Sequence, residues 1–206
     1  MTQRFEIHPT HPQQRLIEQA GGVLAQGGLV VVPTDTTYTL ACPLGDKRAL
    51  ERVRQIRRLS DKHLLTLLCA DLASLATYAR VDNADYRVLK RYTPGPFTFV
   101  LPASREVPRR LLHPKRKTIG LRVPDHAICQ ALLQSHGEPL LSTTLRLPDA
   151  DLPLTEADDA YDALAGRVEL IIDGGACGFE PTTVVDMVEG AAVLRQGAGE
   201  FGMPAP

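Results

Sequence analysis

The chain alternates short, almost wholly apolar runs with longer stretches in which apolar residues recur every three or four positions. The short runs, at residues 29–32, 64–69, 97–101, 118–123 and 140–145, predict buried strands, and the periodic stretches predict amphipathic helices. This alternation predicts a single α/β domain over residues 1–206. Residues 168–172, 182–188 and 191–194 form three further runs without helices between the last two. We therefore expect a mixed sheet rather than a purely parallel one.

Aspartates stand at the start of four helical stretches, where a side-chain oxygen accepts a backbone N–H of the first turn. We predict N-caps at Asp46, Asp71, Asp82 and Asp125.

The overall composition excludes several classes of protein. In 206 residues no apolar run approaches the roughly 18 residues needed to span a bilayer. The N-terminus is too polar for a secretory signal, so we expect a cytoplasmic protein without membrane contact. The six histidines lack H-x-x-x-H spacing, so we predict no tightly bound metal.

Charge is distributed unevenly, although the formal net charge is −1. Residues 47–122 hold 18 of the 23 Lys and Arg against 6 acids. This asymmetry indicates either an unevenly charged solvated surface or a face that binds phosphate. The segment 105–122 has seven bases and one acid but no aromatic residue, which leaves contact with the backbone of folded RNA open. Its candidate nucleic-acid residues are Arg109, Arg110, Lys115, Arg116 and Lys117.

Hydroxyl side chains cluster where three apolar runs end, in PTDTTY (33–38), LLSTTL (140–145) and PTTVVD (181–186). In open α/β sheets ligands bind at the carboxyl ends of strands, and hydroxyls both donate and accept hydrogen bonds. Threonine is also an ordinary strand residue, so each cluster alone has a purely structural interpretation. Three together favour a pocket for a small polar ligand.

Arginines accompany these clusters. Arg57 ends a helical stretch, whereas Arg122 and Arg195 stand in apolar strands. A buried guanidinium needs a partner, which is either a structural acid or an anionic ligand such as phosphate or carboxylate. A G-x-x-x-x-G-K-[ST] loop is absent, so a nucleotide site would have another design.

Several of these motifs resemble the signatures of the YrdC/YciO family of threonylcarbamoyl-adenylate synthases and their paralogs. The matching segments are PTDTTY, TPGPFTFVL, KTIGLRVPDH, LSTTL, and PTTVVD with VLRQGAG; HPQQRLIEQA and EVPRRLLHPKRKTIG are similar to the YciO branch. The resemblance implies a twisted, open, mixed sheet of the YrdC/RibB-like type with flanking helices. It also implies that L-threonine, bicarbonate and ATP, with Mg²⁺, give threonylcarbamoyl-AMP and pyrophosphate. The product then serves threonylcarbamoyladenosine modification of tRNA.

The resemblance assigns roles position by position. Arg57 and Arg195 take catalytic positions on the nucleotide. The substrate-binding positions are Thr34, Tyr38, Arg122, Ser142, Thr144 and Thr183.

Besides Arg57, which stands where the family has the lysine of its K-x-R motif, two positions depart from the family pattern. Leu59 stands where the K-x-R motif has its arginine, and Arg146 stands where the fourth motif has asparagine. We hypothesise that Arg146 supplies the missing cation from the opposite wall, and the enzyme is expected to be weakened. Two alternatives stay open: a non-catalytic paralog that binds double-stranded RNA or tRNA, and an enzyme using another amino acid or nucleotide.

Overall fold

The computed structural model describes residues 1–60 and 63–202, which form one mixed sheet with helices on both faces. The strands are β1 (Gln3–Glu6), β2 (Val30–Val32), β3 (Thr39–Pro43), β4 (Thr66–Leu68), β5 (Phe97–Pro102), β6 (Thr118–Arg122), β7 (Leu140–Thr144), β8 (Leu170–Asp173), β9 (Thr183–Asp186) and β10 (Ala192–Arg195). The helices are α1 (Gln14–Ala25), α2 (Lys47–Arg57), α3 (Leu72–Tyr78), α4 (Asn83–Tyr92), α5 (Ala127–His136) and α6 (Ala157–Leu164), and Arg109–Leu111 forms a 3₁₀ turn.

Three of the four predicted helix caps are confirmed. The carboxylates of Asp46, Asp71 and Asp82 each accept the backbone N–H three residues later. The prediction for Asp125 is wrong, because α5 begins after His126, whose side chain makes no capping hydrogen bond.

The strand order is β1-β8-β2-β3-β7-β4-β6-β5-β9-β10. Pairs β1–β8, β2–β8, β4–β6 and β5–β9 are parallel, and the other neighbours are antiparallel. The predicted mixed α/β fold is therefore confirmed. Two strands were not predicted: β1, whose QRFE sequence is mostly polar, and β3, which returns antiparallel to β2 directly after the polar loop 33–38.

Successive residues of β2 enter two different cores, one on each face of the sheet. Val31 packs with α2, α3, α4 and α6 on one face, whereas Val30 and Val32 pack with α1 and α5 on the other. On this second face α1 and α5 cover β8 and β2 together with Leu68 of β4 and Leu140 of β7. The rest of that face, from the far ends of β7 and β4 across to β10, carries the cavity described below. Within the described residues no helix is long and apolar enough to cross a bilayer.

Candidate active site

The half of the sheet face that α1 and α5 leave open forms the floor of a cavity of about 530 Å³. Strand register places Ser142 opposite Thr66, and Thr66 opposite Gly120, so these residues form one row across three strands. Gly120 in turn lies opposite Val100 of β5. Because side chains alternate along a strand, residues two positions away share this face. The polar floor residues are Thr66, Thr98, Thr118, Ser142, Thr144 and Thr182.

Three of these floor threonines, Thr66, Thr98 and Thr118, were missed by the analysis of the sequence. Each is a single threonine in or beside an apolar run, in LLTLLC, FTFVL and KTIGL, and such residues suit any strand. Their common face becomes visible only from the register, which pairs β4 with β6 and β6 with β5. A lone threonine in an otherwise apolar strand was the available signal.

Gly120 keeps the floor open between its neighbours. A Cβ at this position would lie 3.3 Å from Cγ2 of Thr98 and 3.4 Å from Oγ1 of Thr66. A larger side chain would therefore press on both threonines and occupy ligand space. The glycine lets two hydroxyl-bearing residues approach across the middle strand.

Hydrogen bonds fix part of the floor. The hydroxyls of Thr98 and Thr182 lie 2.8 Å apart, and Ser142 Oγ donates to the Thr66 carbonyl at 3.1 Å. Arg195 Nη2 donates to the Thr182 carbonyl at 2.9 Å, which holds the guanidinium against this end of the floor. Burial lowers the pKa of Arg195.

Arg57 and Arg146 form a cationic end of the cavity, and His63 lies beside them. Arg57, in the last turn of α2, is buried, and its Nε has no hydrogen-bond partner among the described residues. Burial lowers the pKa of Arg57 to about 10, and the charge of Arg146 contributes to this shift. Burial, Arg57 and Arg146 also lower the pKa of His63. Guanidinium groups that repel each other in a half-closed space favour an anion between them.

Leu59, the first departure from the family pattern, packs against the core on the other face of the sheet and brings no charge to this end. Arg146, the second departure, lines the cavity. The cavity wall thus carries the cation of Arg146 at the position where the fourth motif of the family has asparagine.

The rim of the cavity is apolar. Among the described residues seven large hydrophobic side chains are exposed, and four of them line this cavity: Leu64, Leu152, Phe179 and Leu194. Exposed apolar residues gathered around a polar floor are typical of a ligand site. The exposed ring of Phe179 offers a flat surface.

Three predicted substrate-binding residues lie outside this cavity lining. Thr34 Oγ1 donates to the Thr37 carbonyl at 2.7 Å and accepts N–H groups of the same loop. Tyr38 is fully buried, and its hydroxyl donates to the Gly175 carbonyl at 2.8 Å. Thr183 is also fully buried and accepts the backbone N–H of Gly197 at 2.9 Å.

Arg122, the fourth such residue, forms a buried ion pair with Asp35. The pair is incomplete, because Arg122 Nε and Asp35 Oδ2 have no hydrogen-bond partner among the described residues. Arg122 lies two residues beyond Gly120 on β6 and therefore on the face of the cavity floor. Of the eight residues predicted to be catalytic or to bind substrate, Arg57, Arg195, Ser142 and Thr144 come together in the cavity.

The five predicted nucleic-acid residues are all exposed, in and after the 3₁₀ turn. Arg116 pairs with Asp186, and Arg110 Nη2 donates to the Gly45 carbonyl at 3.0 Å. Three of the five line a second cavity of about 420 Å³, which shares His63, Leu64 and Leu65 with the first. They are Arg109, Arg110 and Lys117.

The cavity lining contains few groups that could hold a metal ion. Asp151 is its only carboxylate among the described residues, and no cluster of three or more metal-binding side chains occurs within them. Magnesium prefers about six oxygen ligands. A magnesium ion that arrived with ATP would therefore take most of its ligands from phosphate oxygens and water, and Asp151 is the lining carboxylate that would contact it.

Comparison with known proteins identifies the relatives of this fold. The Sua5/YciO/YrdC family, whose description is "Telomere recombination", matches residues 22–197. The chain is 50% identical to YciO of Escherichia coli K12 over 201 residues. The aligned region covers 97% of this chain and 98% of YciO. The crystal structure of E. coli YciO superposes with a TM-score of 0.93 over the same shares of the two chains. These findings confirm the expected family and fold.

More distant relatives carry an activity in their names. A threonylcarbamoyl-AMP synthase of Pyrococcus abyssi is 31% identical over 186 residues, covering 89% of this chain and 54% of the synthase. The crystal structure of P. abyssi Sua5 complexed with L-threonine is 28% identical, with a TM-score of 0.87, and covers 95% of this chain and 58% of that protein. This chain thus spans little more than half of the synthase.

Proposed function

Since the chain belongs to the Sua5/YciO/YrdC family, we propose that it makes threonylcarbamoyl-AMP from L-threonine, bicarbonate and ATP. The observation that carries the proposal is a floor of hydroxyls beside arginines without an acidic partner. Among the described residues no carboxylate lies within ion-pair distance of Arg57, Arg146 or Arg195. Such a cavity suits an acyl adenylate, which joins a polar amino acid to a phosphate.

The chemistry balances in two steps. The threonine amine and bicarbonate condense to a carbamate and water. A carbamate oxygen then attacks the α-phosphorus, and the new O–P bond forms as the bond to the bridging oxygen of pyrophosphate breaks. This displacement needs in-line positioning and charge stabilisation, with no covalent enzyme intermediate.

The floor and the cationic end would divide this work. The hydroxyls of Ser142 and Thr144 would bind threonine and its carbamate, while Arg57 and Arg146 would stabilise charge on the α-phosphate. Arg195 would contact the nucleotide from the β10 side. Magnesium, when bound, would neutralise part of the triphosphate charge.

The rim would bind the adenine ring, with Phe179 as the stacking surface and Leu194 beside it. The roles predicted for Thr34, Tyr38, Arg122 and Thr183 stay predictions. The adenylate product is a donor for acylation of a tRNA adenosine, which places the reaction in tRNA modification.

Pyrophosphate release with ATP and bicarbonate, with and without L-threonine, tests the proposal. We expect release that depends on threonine and that falls about 30- to 1,000-fold in Arg195→Ala, as for the loss of one charged transition-state contact. Arg58→Gln serves as the control, because Arg58 is exposed and pairs with Asp149 at 3.0 Å. Release that is unaffected by threonine would reject this activity.

A second function, binding of duplex RNA or tRNA, is favoured by the exposed basic residues Lys115, Arg116 and Lys117. Binding through phosphates predicts that log affinity falls with log salt at about −0.9 for each phosphate contacted. The slope should shrink when these residues are replaced by Gln. Affinity that does not respond to salt would argue against this function.

A further inference from the structure

The last turn of α2 presents one arginine to each of the two cavities. Arg57 lines the first cavity and Arg54 the second, three residues earlier on the same helix. His63, Leu64 and Leu65 form a wall common to both. The cationic end of the first cavity is therefore also the boundary of the second.

The second cavity is lined by cations. Arg54, Arg109, Arg110 and Lys117 line it together with His63, and no carboxylate is present among its described lining residues. The first cavity already has arginines for one phosphate. A further space with at least three exposed cations, of about 420 Å³, suits an additional compact and multiply charged anion.

We propose that the second cavity is a pyrophosphate site, which holds the β- and γ-phosphates of ATP before the reaction and the leaving pyrophosphate after it. The inference rests on the proposed function for its sequence of events. In an in-line displacement the leaving group departs away from the attacking oxygen. Arg57 and the hydroxyl floor line the first cavity, and the second cavity adjoins the first at His63. The leaving group would therefore pass His63 into the second cavity.

This assignment also explains the basic segment without requiring RNA. Arg109 and Lys117 line the second cavity from the two ends of the turn and loop 109–117, so both would contact the phosphates there. Arg110 is steadied by its hydrogen bond to the Gly45 carbonyl. Lys117 has φ of 56° and donates to the Pro114 carbonyl at 2.7 Å, which places its ammonium group at the loop.

Isothermal titration calorimetry of the full chain with pyrophosphate, ATP and AMP tests the proposal at about 0.15 M salt, where distant surface charges are screened. The variant is Arg109→Gln/Lys117→Gln. We expect affinity for pyrophosphate and for ATP to fall about tenfold or more, because charge-assisted hydrogen bonds are lost. Affinity for AMP, whose phosphate stays with Arg57 and Arg146, should remain within about twofold of the parent.

The matched control is Arg80→Gln/Arg105→Gln, which removes two exposed cations that line neither cavity. Equal weakening of pyrophosphate by both double variants, or weakening of AMP as large as that of ATP, would overturn the proposal. Loss of duplex RNA binding without loss of pyrophosphate binding would assign the cavity to RNA and overturn it as well.

These measurements separate the inference from the proposed function. Pyrophosphate binding that depends on Arg109 and Lys117 supports the site even if no threonine-dependent turnover is found. If threonine-dependent turnover is found but the variant binds pyrophosphate as tightly as the parent, the proposed activity is supported. The second cavity is then rejected as the site of the leaving group.

Discussion

One face of the sheet has two halves that follow the same strand geometry and differ in their cover. In the half under α1 and α5, the strand positions are apolar, as at Val30, Val32 and Leu170, and are fully buried. In the other half the equivalent positions are Thr66, Thr98 and Ser142, and they line the cavity. Helical cover and side-chain polarity change together across the face.

This difference shows how a ligand site is made from a packed fold. A threonine matches valine in shape, so it keeps the strand and its twist while adding a hydroxyl to the surface. If the second half were as apolar as the first, a helix or a second molecule would be favoured to cover it. The polar substitutions therefore keep the sheet intact and its surface free for ligand.

The largest effect that separates the two halves is expected in stability. Leu132, on α5, is fully buried in the covered half, whereas Val100 is partly buried at the cavity floor. Leu132→Ala should lower the free energy of unfolding by about 2–5 kcal/mol through a cavity that the helix cannot fill. Val100→Ala, measured by the same denaturant titration, should cost less than half of that. Equal costs would mean that the open half is packed as tightly as the covered half.

The next prediction concerns Arg57, which we expect to speed the reaction without stabilising the fold. Arg57→Gln should lower the rate of adenylate formation about 30- to 1,000-fold, because it removes a cation that faces the developing phosphate charge. It should not lower the melting temperature, since the Nε of the buried guanidinium finds no partner among the described residues and the group is repelled by Arg146. Turnover and thermal melting would be measured on the same preparations.

Arg58→Gln is the adjacent control for this prediction. Its exposed pair with Asp149 is worth at most about 1 kcal/mol, and it faces neither cavity. A fall in melting temperature for Arg57→Gln that exceeds the fall for Arg58→Gln would show that Arg57 stabilises the fold. The contrast between a stable half and a strained, functional half would then fail.

The two halves also differ in how far the sequence predicts them. The covered half could be predicted, because runs such as residues 29–32 are apolar on both faces and the stretch that forms α1 has helical periodicity. The N-termini of three helices could be predicted from Asp46, Asp71 and Asp82, because N-capping depends on residues near in sequence. Both signals are local.

The open half could be predicted only where polar residues are dense. Ser142 and Thr144 were found because they stand together, whereas Thr66 and Thr118 were not, since their relation is a register across β4 and β6. Thr34 and Thr183 also stand in dense polar runs, but their hydroxyls bond nearby backbone groups outside the cavity lining, so their substrate-binding roles stay predictions. Composition indicates that a strand end is polar, but only the tertiary register shows which hydroxyls reach the cavity.

The smallest predicted effect concerns His63, the side chain at the junction of the two cavities. Burial and the charges of Arg57, Arg146 and Arg54 lower its pKa, so it is largely neutral at pH 7. A bound anion offsets that repulsion and favours the protonated ring. The pKa of His63, followed by NMR of the ring protons, should therefore rise when pyrophosphate binds.

By linkage, protonation of His63 and binding of the anion strengthen each other. Affinity for pyrophosphate, corrected for the protonation of pyrophosphate itself, should increase a few-fold as pH falls through the pKa of His63, and His63→Gln should remove this increase. His8 is a matched control, because it is exposed at the N-terminal end of the chain and lines neither cavity. If the pKa of His63 did not change on saturation with pyrophosphate, the anion would bind away from the junction. The proposed route between the two cavities would then be rejected.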